Sequence, residues 1–192
     1  MTTAIEANIT ALCQRSRDIS LEKGWLNPDG TDPRPFYTVI SLFHTELSEA
    51  FEDIRNNRGL SEIYYEDGKK PCGIPMELAD FVIRVAQYYG SANLGGELGR
   101  TMLEIAQAKL GHVPANDPEC FITELHAFVS KAWAASMGEI SITNKNPIDC
   151  LATALVMTFD FCEKNDVNLW AAIEEKEAYN RTRSHKHGGK KV

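Results

Sequence analysis

Two pairs of acidic residues have a spacing that could hold a metal ion. Glu46 and Glu49 are three residues apart, and Glu77 and Asp80 repeat that spacing further along the chain. On an α-helix, side chains three residues apart project from the same face. Hard divalent cations prefer oxygen ligands, and magnesium in particular is held by carboxylates together with substrate phosphate. Four carboxylates on two packed helices could therefore form a magnesium site.

The acidic pairs could also form a solvated helix face or a di-iron site. Acidic pairs are common on solvated helix faces, although each pair here borders apolar residues and so flanks a buried face. A di-iron site in a four-helix bundle also uses inward carboxylates, but it requires a Glu-x-x-His motif from each of two helices. In this chain Glu124 is followed by His126, which is one position too close. The residues favour magnesium over iron and leave a solvated acidic face as the alternative.

The C-terminal region carries a basic cluster that could bind phosphate. Three polar residues follow one another at helical steps of four and three, and a basic segment with two adjacent glycines comes after them. Adjacent glycines let backbone N–H groups approach a phosphate closely, and lysines add positive charge. A disordered basic tail is the alternative interpretation. The cluster consists of Lys176, Asn180 and Arg183, followed by His187-Gly188-Gly189-Lys190-Lys191.

Composition narrows the range of partners. The chain has 192 residues and a net charge of −7, and an acidic protein is a poor binder of long nucleic acid, because phosphate neutralisation supplies most of that affinity. No apolar run reaches the roughly 20 residues that span a membrane. The N-terminus lacks the features of a secretion signal, and the five cysteines form no Cys-x-x-Cys pair. We expect a cytoplasmic protein that binds neither a membrane nor long nucleic acid.

Helical periodicity extends over nearly the whole chain and predicts an all-α fold. Apolar residues recur at steps of three and four, as in amphipathic helices. Glycine- and proline-rich segments predict loops at 24–35 and 56–75, and a third loop is expected at 137–147. No strand is predicted, since Ile140-Ser141-Ile142 is too short. The predicted helices cover residues 3–23, 36–57, 76–90, 94–109 and 169–181, and two more begin at Asp117-Pro118 and Asn146-Pro147, each with an N-cap followed by proline.

Several short motifs occur in a fixed order over most of the chain. They are Lys23-Gly24-Trp25, Thr45-Glu46-Leu47-Ser48-Glu49-Ala50, Asp67-Gly68-Lys69 before Glu77-Leu78-Ala79-Asp80, and the C-terminal Lys176, Tyr179-Asn180, Arg183 and His187-Gly188-Gly189-Lys190. In this order and spacing they resemble the MazG-like all-α NTP pyrophosphohydrolases, a superfamily that includes the dimeric all-α dUTPases. The fold expected from the resemblance is a helical bundle of this type.

The resemblance implies a reaction and a set of site residues. It implies a hydrolase that cleaves nucleoside triphosphates between the α and β phosphates, with magnesium as cofactor and manganese as a substitute. The four acids would hold the metal, and Glu46 or Glu49 would position the attacking water. Substrate contacts are expected from Trp25, Gln87, Lys176, Asn180, Arg183 and Lys190, although a loop tryptophan such as Trp25 also commonly serves local packing.

The sequence departs from the family pattern at two positions. Gln87 stands where family members often carry asparagine, and Thr45 stands where the commonest first motif has a glutamate. These departures leave the number of metal ions and the base preference open. A dUTPase-like specificity is the alternative within the enzyme class, and a non-catalytic nucleotide sensor is the alternative outside it.

A weak internal repeat predicts two similar halves within one domain. The segment around Glu124 echoes that around Glu46 at an offset of 78, and the segment around Cys150 echoes that around Glu77 at an offset of 73. The second copy, however, lacks three of the four acids, with Ala127, Cys150 and Thr153 in their places. We expect halves of about 36–110 and 117–181 within a single domain of residues 1–192. Chance similarity is the alternative. A repeat of this kind resembles the single-chain pseudo-dimers among all-α dUTPases, and we expect the chain itself to form a homodimer.

Overall fold

The computed structural model describes residues 2–108, 117–138 and 146–189. The described residues are mostly helical, with one short two-stranded sheet. A single turn with positive φ at each residue follows the last helix at Lys186–Gly189. The helices are α1 (Thr2–Glu22), α2 (Phe36–Arg55), α3 (Ile74–Ser91), α4 (Gly95–Gln107), α5 (Pro118–Ser136), α6 (Pro147–Lys164) and α7 (Leu169–Thr182), and the strands are β1 (Tyr64–Glu66) and β2 (Lys70–Cys72).

The predicted all-α fold is confirmed, and two predicted helix starts show the expected capping bonds. The Asp117 side chain accepts a hydrogen bond from the backbone N–H of Cys120 at 2.9 Å. Asn146 and Asp149 form a reciprocal capping box, in which each side chain accepts from the backbone N–H of the other residue. None of the helices within the described ranges combines the length and apolar character needed to cross a membrane.

The prediction that residues 56–75 contain no strand is wrong. β1 and β2 form an antiparallel hairpin in which Glu66 pairs with Lys70. Asp67 and Gly68 at its turn both have positive φ, at 51° and 67°, and Asp-Gly is a residue pair that tolerates this combination in tight hairpin turns. The predicted helix start at residue 76 also moves slightly, because α3 begins at Ile74 directly after the hairpin.

Helix α3 lies at the centre of the molecule and contacts α1, α2, α4, α6 and α7. Most of its residues are buried, including polar Glu77 and Gln87. Its C-terminal part approaches α1 closely at Gly90, where an added Cβ would lie 2.3 Å from the carbonyl oxygen of Cys13. Since α3 is covered on several sides, polar groups on it require partners from other helices.

Helices α5 and α6 pack against each other, as α2 and α3 do, and α2 also packs on α5. At the α2–α5 contact the Nδ1 atoms of His44 and His126 lie 2.7 Å apart. The ring planes differ by 10° and the ring centroids are 5.0 Å apart. Because the centroid distance exceeds the Nδ1–Nδ1 distance by about one ring diameter, the rings meet edge to edge. One imidazole therefore donates a hydrogen bond and the other accepts it.

Candidate active site

Helices α2 and α3 bring three of the four predicted metal ligands together. Glu46, Glu77 and Asp80 each offer a carboxylate oxygen, and these oxygens all lie within 4.8 Å of one another. Glu46 and Glu77 are only 3% and 4% exposed, and Asp80 is half-buried. The fourth predicted ligand, Glu49, is one turn further along α2 and is exposed at the cavity described below. The alternative of a fully solvated acidic face does not fit this burial.

Two basic side chains neutralise part of this cluster, and they are held differently. The Nζ atom of Lys176, on α7, lies 2.9 Å from Asp80 Oδ2 and 3.8 Å from Glu77 Oε1. Lys176 is only 1% exposed. Arg84, one turn after Asp80 on α3, donates from Nε to Glu46 Oε1 at 2.5 Å, and a third of its side chain is exposed. Lys176 is therefore enclosed, whereas Arg84 also faces solvent.

Burial dominates the electrostatics of the cluster. It raises the pKa of Glu77 to about 8, although Lys176 acts in the opposite direction. Burial also raises the pKa of Glu46, against the effect of Arg84, with Asp80 adding to the rise. For Lys176 burial alone would lower the pKa, but the carboxylates of Asp80 and Glu77 reverse the direction and raise it. Burial therefore disfavours the ionised forms of Glu46 and Glu77, and the two basic partners offset this only in part.

A cavity of about 220 Å³ opens beside the cluster. Its walls come from α1, the loop that follows it, α2, α3, α7 and the C-terminal turn. Four acids line parts of the wall, together with apolar side chains and with basic and amide groups. The acids are Glu46, Glu49, Asp80 and Glu177, the apolar side chains include Ile19, Leu42 and Ile83, and the basic and amide groups include Lys23, Arg34, Arg84, Gln87, Asn180 and Arg183.

A closed hydrogen-bonded network forms one wall of the cavity. Arg34 donates to both carboxylate oxygens of Asp32, at 2.8 and 2.7 Å. Gln87 accepts from Arg34 at 3.0 Å and donates to Asp32 at 3.0 Å. The side chains of Asp32 and Arg34 are 5% and 10% exposed. Each of the three groups therefore has a fixed orientation, and the amide of Gln87 is held by residues of the loop that precedes α2.

The C-terminal segment packs on the loop that follows α1. The backbone N–H of Lys186 donates to the carbonyl oxygen of Lys23 at 2.9 Å, and Lys23 Nζ donates to the carbonyl oxygen of Arg181 at 2.7 Å. The rings of Trp25 and His187 meet edge to face, with centroids 5.1 Å apart. These contacts place His187 at the wall of the cavity. The part of the segment that the structure describes is therefore not a free tail, which was the alternative interpretation.

The predicted substrate residues divide into three groups. Trp25, Gln87, Asn180 and Arg183 line the cavity. Lys176 is buried beneath it and pairs with the carboxylates, so the structure does not place it where a phosphate could reach it directly. Lys190 lies outside the described residues.

Several residues at the site were not predicted from the sequence. Arg84 could have been identified, because it follows Asp80 by four residues and shares its helix face. Ser16 and Glu177 gave no such signal, yet both line the cavity, and their Oγ and Oε1 atoms are buried without a hydrogen-bond partner. Buried polar atoms normally have partners, so these two atoms are exceptions among the described residues.

The α5–α6 pair carries no comparable cluster. Glu124 is half-buried, while Cys150 and Thr153 are buried. Thr153 directs its hydroxyl to the carbonyl oxygen of Asp149 at 2.7 Å. Across the described ranges, Glu46, Glu77 and Asp80 form the one group of three potential metal ligands that was found.

Comparison of the chain with protein-family models, with curated proteins and with solved structures found no match.

Proposed function

We propose that the protein hydrolyses nucleoside triphosphates to the monophosphate and pyrophosphate with the help of magnesium. The observation that carries the proposal is the cluster of Glu46, Glu77 and Asp80 at the wall of a cavity that also presents guanidinium and amide groups. A polyphosphate brings negative charge to an acidic site, so it requires cations from the protein or from a metal. The cavity presents guanidinium groups, and its carboxylates could hold a metal ion.

The donor set of the cluster fits magnesium. Magnesium prefers oxygen ligands and is typically bound by one or two carboxylates together with substrate phosphates. Burial raises the pKa of Glu77 to about 8, and a bound cation would favour the ionised form of this carboxylate. Glu46, Glu77 and Asp80 would hold the ion, with Glu49 beside them. When bound, magnesium would stabilise the charge that develops on the phosphate oxygens.

The remaining side chains have distinct parts in this proposal. Asn180 and Arg183 on and after α7 would donate to phosphate oxygens, as charge-assisted bonds to phosphate are strong. Glu49 is exposed to the cavity, whereas Glu46 is buried and bonded to Arg84. Glu49 is therefore the better placed of the two to accept a proton from an attacking water. The apolar wall beside these groups would accommodate the base.

The proposal is tested by incubating the purified protein with a panel of ribo- and deoxyribonucleoside triphosphates and magnesium. The expected products are the monophosphate and pyrophosphate, and EDTA should abolish their release. Glu49→Gln should be strongly impaired, while Glu52→Gln, one turn further along α2 and exposed, should retain activity. Orthophosphate as the first product would refute the reaction. Nucleotide binding without turnover would favour the sensor, and turnover of dUTP alone would favour a dUTPase.

A further inference from the structure

The two basic residues at the carboxylate cluster differ in how easily they can change partner. Lys176 lies between two carboxylates and is 1% exposed, so any movement would leave a buried charge unpaired. Arg84 binds one carboxylate, Glu46, and a third of its side chain is exposed at the cavity. Arg84 can therefore leave its partner without entering an apolar environment.

We propose that Arg84 is an exchangeable substrate-binding residue, which is held by Glu46 in the empty site and transferred to a substrate phosphate when Glu46 binds the metal. This inference rests on the proposed function, since it concerns the same site. Glu46 Oε1 accepts from Arg84 Nε at 2.5 Å, and Glu46 is also one of the three clustered carboxylates. A guanidinium and a divalent cation thus compete for the same carboxylate.

The exchange couples the binding of the metal to the binding of polyphosphate. While Glu46 holds Arg84, the cavity presents one cation fewer to an incoming polyphosphate. Once Glu46 is paired with the metal, the guanidinium of Arg84 can pair with phosphate, for which its planar set of donors is well suited. Metal and polyphosphate therefore bind with positive coupling, beyond the coupling that direct contact between them would give.

The exchange can be tested without metal and without turnover. Inorganic pyrophosphate binding is measured by equilibrium dialysis in EDTA for the full chain. Glu46→Gln removes the charge that retains Arg84, so pyrophosphate affinity should rise at least fivefold above that of the wild type. Glu49→Gln is the matched control, because it removes an equal charge from the same cavity wall but leaves the Arg84–Glu46 bond intact. The gain in pyrophosphate affinity of Glu49→Gln should be at least threefold smaller than that of Glu46→Gln.

The double variant Glu46→Gln/Arg84→Met should lose the additional gain. Equal gains in the Glu46 and Glu49 variants, persistence of the gain in the double variant, or no measurable pyrophosphate binding by any of them would overturn the inference. If Glu46→Gln fails to fold, Arg84→Met is measured with manganese and pyrophosphate, where affinity should fall at least tenfold relative to Arg100→Met, an exposed arginine on α4. An unchanged affinity there would likewise overturn it. Failure of the proposed function would appear separately, as absence of triphosphate hydrolysis by the wild type.

Discussion

Replacing Glu77 with glutamine should stabilise the metal-free protein at alkaline pH. Burial raises the pKa of Glu77 from 4.5 to about 8, so the folded chain holds this proton more tightly than the unfolded chain does. The resulting stabilisation is fully present below about pH 4.5 and is lost as the pH rises through about 8. Glutamine carries no charge at any pH and so avoids this loss.

The size of the effect follows from the shift and from the neighbours of Glu77. One pKa unit corresponds to about 1.4 kcal/mol. The raised pKa of Glu77 therefore sets an upper limit of about 5 kcal/mol on the unfolding free energy that the wild type loses above pH 8. The substitution also removes one partner of Lys176, at 3.8 Å, but leaves the closer contact with Asp80 at 2.9 Å. The attraction of Lys176 already lowers this pKa, so the limit includes the loss of that contact. Because relaxation and water penetration reduce the effective cost of a buried charge, we expect a net gain of about 2 kcal/mol in unfolding free energy at pH 9.

The measurement is urea unfolding followed by circular dichroism in EDTA at pH 5, 7 and 9. Glu174→Gln, at an exposed position of α7, is the matched control and should follow the wild type. The advantage of Glu77→Gln should grow with pH. Saturating magnesium should stabilise the wild type more than the variant, because ligands that bind only the folded state stabilise it. A variant that is less stable than the wild type at pH 9 would refute the argument from burial.

Three further outcomes are expected. Glu46→Gln should lower kcat at least about a hundredfold, and Glu124→Gln less than about tenfold; similar large losses in steady-state assays would contradict a degenerate second helical pair. Deleting residues 184–192 should raise KM while leaving the thermal midpoint nearly unchanged, and unaltered kinetics would make the segment passive. Burial lowers the pKa of His44 and His126 below 6.5, so the unfolding free energy should fall as the pH drops from 7 to 5. It should fall less in His126→Gln, and equal pH profiles of unfolding free energy in the variant and the wild type would contradict this.

Local patterns in the sequence were sufficient to predict the helices and the carboxylates on them. Helical periodicity and capping residues act over a few positions, so the starts at Asp117 and Asn146 could be predicted without tertiary information. The hairpin was missed because its strands have only three residues each. The Asp67-Gly68 pair signals a tight turn, but in a segment rich in other turn residues it does not distinguish a hairpin from a loop.

Tertiary pairings at the site could not be predicted in the same way. Lys176 was expected to contact phosphate, because its position on a helix face is visible in the sequence and its burial is not. Its partners depend on how α7 packs against α3. The network of Asp32, Arg34 and Gln87 joins residues more than fifty positions apart, and the preceding loop gave only a compositional signal.

The two helical pairs differ in whether the matching positions carry a charge. Burying ionised groups costs free energy unless they are paired, and replacing them with apolar or neutral residues is often stabilising. The places that the predicted repeat matches to Glu77 and Asp80 hold neutral, buried Cys150 and Thr153, which need no counter-ion. At the α2–α3 pair the chain instead retains clustered acids and supplies Lys176 and Arg84 to compensate them. Packing alone does not require this arrangement, and it is the arrangement expected of a site that binds a cation.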